Sequence, residues 1–82
     1  MESNRLLLSN VPAECSGKDL MQWLEGQGYT VHSVNLIRDK ISGSSPSFAH
    51  VELSDRRHLK EAIRVLNGRP LRGRKVSVGA LL

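Results

Sequence analysis

The sequence predicts an α+β domain: a four-stranded antiparallel sheet with two helices on one of its faces. The expected order is strand, helix, strand, strand, helix, strand. Three observations lead there. Two stretches carry apolar residues at helical spacing: Leu20, Trp23 and Leu24, then Leu59, Ala62, Ile63 and Leu66. Four other stretches are short and apolar, with Gly, Pro, Asn or Asp at their ends. Each helix has one apolar stripe, so the two need a common apolar surface, which one face of a four-stranded sheet supplies.

The first strand is read in "RLLLSN", Arg5–Asn10, an apolar run ended by Asn-Val-Pro. "SGKD" follows, with Ser16 and Asp19 three residues apart as in a capping box. The helix it opens runs from about Gly17 to Gln27, where Gly26 and Gly28 stop it. In "VHSVNLIRD", Val34 and Leu36 fall on one side and Asn35 and Ile37 on the other, which is a second strand. "KISGSSPS" is a connection rich in Gly, Ser and Pro.

"PSFAHVEL" is the third strand. Phe48, His50 and Glu52 point one way and Ala49, Val51 and Leu53 the other. The second helix runs from about Arg56 to Leu66, capped by Ser54 or Asp55 and ended by Asn67-Gly68. A pair between Arg57 and Glu61 is expected along it. A turn at Arg72-Gly73 leads into "RKVSVGAL", read as one fourth strand with Val76 and Val78 inward and Lys75, Ser77 and Gly79 outward. This βαββαβ order is that of a ferredoxin-like sandwich. It puts Ala49, Val51 and Leu53 under the helices and leaves Phe48 and His50 on an uncovered face.

Composition narrows the function classes. The 82 residues, 39% hydrophobic, suit one domain over residues 1–82 with one modest core. No apolar run approaches the roughly 20 residues that cross a bilayer, so no membrane partner is expected. The single cysteine, Cys15, argues against a disulfide-built secreted domain and for a reducing compartment, cytoplasmic or nuclear. His32, His50 and His58 are scattered, with no zinc or iron spacing. No GxSxG, HExxH or phosphate-loop pattern occurs. Catalysis, a cofactor, a metal and a small-molecule substrate are therefore not expected. The net charge of +4 points towards a polyanion.

The chain resembles an RNA recognition motif. "LLLSNV", Leu6–Val11, is similar to that family's first-strand hexapeptide, and "PSFAHVEL" to its third-strand octapeptide. "LNGRPLRGRKVSV", Leu66–Val78, follows its passage from second helix to last strand. The likeness runs from about Arg5 to Gly79. It implies single-stranded RNA as the partner, with bases stacked on the open sheet face. Carried over by position, the stacking residues are Leu7, Phe48 and His50, of which only Phe48 is the family's preferred type. Pro46 and Ser47 stand where the octapeptide has a basic residue and a glycine. A base stacked on an aromatic is worth about 1–3 kcal/mol. One missing ring and one missing cation therefore imply binding roughly ten- to a hundredfold weaker.

Around these residues, Lys75 and Arg38 are expected to pair phosphates, and Asn35 and Ser77 to read base edges. Arg5 and Lys40 are further candidates at the rim. Trp23 is expected in the core or at its edge, and Asn10 is expected to brace the turn after the first strand. An alternative use of the same fold is protein binding or self-association. Leu7, Ile37 and a Leu81-Leu82 tail folded back over the sheet would give it an apolar face. Arg57, Lys60 and Arg64 on one side of the second helix offer another surface for a protein partner.

Overall fold

The computed structural model describes residues 4–37 and 47–81. Strand β1, Arg5–Val11, alternates: Leu6 and Leu8 are fully buried, while Arg5, Leu7 and Ser9 lie on the other side. Its pairing with the third strand shifts register between Leu8 and Val11. Asn10 sits inside that irregularity at φ 62°, a left-handed conformation that Asn tolerates better than most residues. The shift brings Val11 back into the core.

Helix α1, Gly17–Gly26, starts on a complete capping box. The Asp19 N–H donates to Ser16 Oγ at 3.1 Å, and the Ser16 N–H donates to Asp19 Oδ2 at 2.9 Å. Leu20 and Leu24 are buried, with Met21 and Trp23 packed at the core edge. The indole N–H of Trp23 donates to the Pro70 carbonyl at 3.2 Å. The helix ends one residue before the sequence suggests, and Gly28 follows at φ 98°, where a Cβ would be strained.

Strands β2, Val31–Ile37, and β3, Ser47–Leu53, come next. A 3₁₀ turn over Arg56–His58 leads into α2, Leu59–Leu66. Of the two candidate caps, Asp55 takes the role, accepting from the Arg57 N–H at 2.9 Å. The expected Arg57–Glu61 pair is replaced. Arg57 turns back to the same Asp55, Nε at 3.1 Å and Nη2 at 2.8 Å from its oxygens. The forked guanidinium matches a carboxylate two residues away, already fixed by its capping bond.

The expected fourth strand divides. Pro70–Leu71 (β4) and Arg74–Lys75 (β5) form a separate two-stranded hairpin, and only Ser77–Ala80 (β6) joins the main sheet. Arg72 and Gly73 have φ of 51° and 83°, the two positive values that a tight primed hairpin turn requires. Lys75 therefore pairs with Pro70 instead of a sheet strand. Nor does the tail fold back over the sheet at Leu81: its N–H donates to the Arg5 carbonyl at 3.0 Å, continuing the run of β6 beside β1.

The main sheet has the order β2-β3-β1-β6, each pair antiparallel. One core forms between sheet and helices. Leu6, Leu8, Ala49, Val51, Leu53 and Val78 meet Leu20, Leu24, Ala62 and Leu66 there. Truncating one of the fully buried leucines to Ala would cost about 2–5 kcal/mol. The opposite face of the sheet is left uncovered by either helix.

Candidate nucleic-acid interface

Pairing register arranges the uncovered face into rows. Asn35 lies opposite His50, His50 opposite Leu7, and Leu7 opposite Gly79, one row across all four strands. One step along, Ile37 faces Phe48 across β2 and β3, and Ser9 faces Ser77 across β1 and β6. One step the other way, Ser33 faces Glu52, and Glu52 faces Arg5. The side chains between these rows, on Ala49, Val51, Leu6 and Leu8, are the buried ones. Strand alternation, and nothing more elaborate, creates the surface.

Phe48 is 50% exposed and Ile37 41%, the two large apolar side chains left most open among the described residues. An aromatic ring held on a rigid strand with its face in water is a stacking surface that has already been ordered. His50 is half-buried beside Leu7. Gly79 closes the row without a side chain, and a Cβ built there would meet nothing within 4 Å. Leu7 thus has open space on the β6 side.

The charged candidates separate. Arg5 stands on the face, its Nε 3.7 Å from Glu52 Oε1. Lys75 is exposed on the hairpin at the rim, with its carbonyl accepting from Asn10 Nδ2 at 2.9 Å. The oxygen of the same Asn10 side chain accepts from Arg74 Nε at 3.0 Å, so Asn10 does brace the end of β1, against the hairpin. Arg72 reaches Asp19 at 3.2 Å. The Asp19 carboxyl is held below its usual range by the Ser16 backbone N–H first, with Arg72 adding a smaller share. Arg38 and Lys40 lie outside the described residues, as do Pro46 and Leu82.

Sequence reasoning placed Glu52 on this face but gave it no role. In the structure its carboxylate lies between two cationic or potentially cationic groups, Arg5 and His32, the latter with Nε2 at 3.5 Å from Oε2. Arg5, Ser33, Asn35, His50, Val51 and Glu52 line a shallow depression of about 210 Å³. The signal that marks Glu52 in the sequence is its phase with Phe48 and His50. Its partner Arg5 becomes visible only once the strands are paired.

A two-layer sandwich with an exposed ring on its bare sheet face is the architecture of sheet-surface nucleic-acid binders. The family model of the RNA recognition motif matches residues 6–77, and the chain belongs to that family. It is 36% identical over 74 residues to "Multiple RNA-binding domain-containing protein 1" of Mycosarcoma maydis, a match over 90% of this chain and 8% of that protein. The chain spans between 8% and 28% of the curated relatives it matches. The third RNA recognition motif domain of Mip6 superposes with a TM-score of 0.83 at 19% identity, covering 96% of this chain and 93% of that one. The RNA recognition motif of Rna15 with bound RNA (GU) superposes with a TM-score of 0.76 at 25% identity, covering 94% and 81%. Among the described residues no helix is long and apolar enough to cross a membrane.

Proposed function

We propose that the chain acts as a single domain that binds single-stranded RNA across the open face of its sheet, without catalysis and with modest affinity. The observation that carries this reading is Phe48, half exposed on the uncovered face near the start of β3, with His50 two residues along the same strand. The RNA-bound relative of the same fold supports it. In this reading Phe48 and His50 lie beneath two successive bases, Leu7 and Ile37 flank them, and Asn35 and Ser77 meet base edges. Arg5 and, from the rim, Lys75 neutralise phosphates, as do Arg38 and Lys40. One missing ring, at Leu7, sets the affinity below that of a fully aromatic face. The single cysteine, Cys15, buried in the core, supports a reducing compartment, cytoplasmic or nuclear.

The test is titration of short single-stranded RNAs against wild type and Phe48→Ala, at several salt concentrations. Phe48→Ala should weaken binding about tenfold, in line with one lost stacking contact. Both proteins should lose affinity with salt at a slope of about −0.7 per neutralised phosphate. Equal binding by the two proteins would remove the ring from the site.

The exposed pair Ile37 and Phe48 also favours a second use of the face, as a protein-docking patch. Amide-shift mapping separates the two. RNA should move Phe48, His50 and Ser77 together. A protein partner should move Ile37, Phe48 and Leu7 with no RNA present.

A further inference from the structure

The depression beside His50 has a polar composition that a stacking surface alone does not call for. Glu52 places two carboxylate oxygens at its wall, on a side chain still 27% exposed. A carboxylate repels phosphate, so its place on an RNA-binding face is against a base. It only accepts hydrogen bonds, whereas the Arg5 guanidinium opposite it only donates. The two stand 3.7 Å apart at their nearest atoms, and His32 is 3.5 Å from the second oxygen. Both distances are longer than hydrogen bonds, so neither contact closes the carboxylate off.

The bases differ in what they offer such a wall. Guanine presents two adjacent donors, N1–H and N2–H₂, followed at once by the acceptor O6. Adenine, cytosine and uracil each present a single donor position on the same edge. Two parallel charge-assisted bonds to one carboxylate, with an arginine donating to the neighbouring oxygen, therefore fit guanine alone. Glu52 lies two residues beyond His50 on β3, about 6.6 Å along the strand. A base stacked on the imidazole can turn its edge towards that wall.

The geometry points to a guanine-selective pocket, in which Glu52 accepts from N1–H and N2–H₂, Arg5 turns from phosphate to base and donates to O6, and His50 stacks beneath the ring. This rests on the RNA-binding reading above and deepens it to a base preference. Ser33 and Asn35 complete the polar wall.

The experiment compares wild-type binding to short oligouridines carrying one central guanosine, inosine, adenosine, cytidine or uridine. The guanosine oligomer should bind about tenfold or more tighter than the adenosine, cytidine and uridine oligomers. Inosine, which lacks the N2 amino group, should lose most of that advantage. Glu52→Gln should bind the guanosine oligomer no more tightly than its own adenosine, cytidine and uridine counterparts, whatever its overall affinity. Binding without base preference, or a preference for cytidine, overturns the pocket while leaving RNA binding intact. So does a guanosine preference that survives both inosine and Glu52→Gln. Binding to none of the oligomers overturns both readings.

Discussion

The side chain of Asn67 accepts a hydrogen bond from the backbone N–H of Val78, Oδ1 to N at 2.9 Å. Asn67 is the C-cap of α2, and Val78 lies on β6, the edge strand of the sheet next to β1. An edge strand presents backbone donors with no neighbouring strand to take them. Asn67 takes this one, and in doing so ties the end of α2 to the sheet.

Asn67→Ala should therefore destabilise the domain by about 1–2 kcal/mol, since the Val78 N–H loses its acceptor in a part-buried setting. Asn67→Asp keeps an acceptor oxygen at the same position and should recover much of the loss. Denaturant unfolding with an unchanged m-value and a lowered midpoint for the Ala variant alone would bear this out. Equal midpoints for all three proteins would show that water serves Val78 as well as Asn67 does.

The layered fold was legible because it rests on periodicity. The stripes Leu20–Leu24 and Leu59–Leu66 and the alternation in "SFAHVEL" place the core on one face and Phe48 on the other. The Ser16–Asp19 box is local chemistry, so it too was readable, as was a cap at Ser54 or Asp55, between which the structure chooses Asp55. The fourth strand was not. "RKVSV" keeps its alternation through the break, but the Val76 N–H donates to the Arg69 carbonyl and the Val76 carbonyl accepts from the Gly68 N–H. Those bonds, across seven and eight residues, draw the first half of the segment into a hairpin, and the alternation of the segment carries no trace of them. Lys75 went to the rim for that reason. Glu52 was hidden for a related one: its meaning depends on Arg5, which sits 47 positions away and meets it only through the register of β1 on β3.

The Asp55–Arg57 fork predicts a specific acid response. Hydrogen bonds from the Arg57 side chain, and then from its backbone N–H, hold the Asp55 carboxyl down to about 2, from an ordinary 3.8. A carboxyl lowered on folding stabilises the folded state above its unfolded pKa. That contribution fades as pH falls through the interval towards the folded value. Wild type should melt above Asp55→Asn near neutral pH. The gap should shrink between about pH 4 and pH 2, where protonation of Asp55 removes the charge that the variant lacks throughout. Arg57 is 83% exposed, so added salt should narrow the gap as well. Thermal melts of both proteins across this range check it, and a gap that persists unchanged below pH 2 would assign the effect to shape instead of charge.

Leu7 offers a prediction in the direction of gain. It faces His50 on one flank and Gly79 on the other, and the space above Gly79 is open. A larger side chain at position 7 has room on the β6 side without entering the core, because the neighbours Leu6 and Leu8 carry the buried contacts. Leu7→Phe would add a full aromatic ring to the row that holds His50. Stacking one more base on it should tighten binding to single-stranded RNA about tenfold. The salt slope should stay as in wild type, since no phosphate contact is added. The midpoint of unfolding should move little, because the new ring lies on the solvent side. Calorimetric titration of one short RNA into both proteins measures the gain. An unchanged affinity, with the variant folded, would mean that bases do not pass over the β1 strand, and the path of the RNA would then run along β2 and β3 alone.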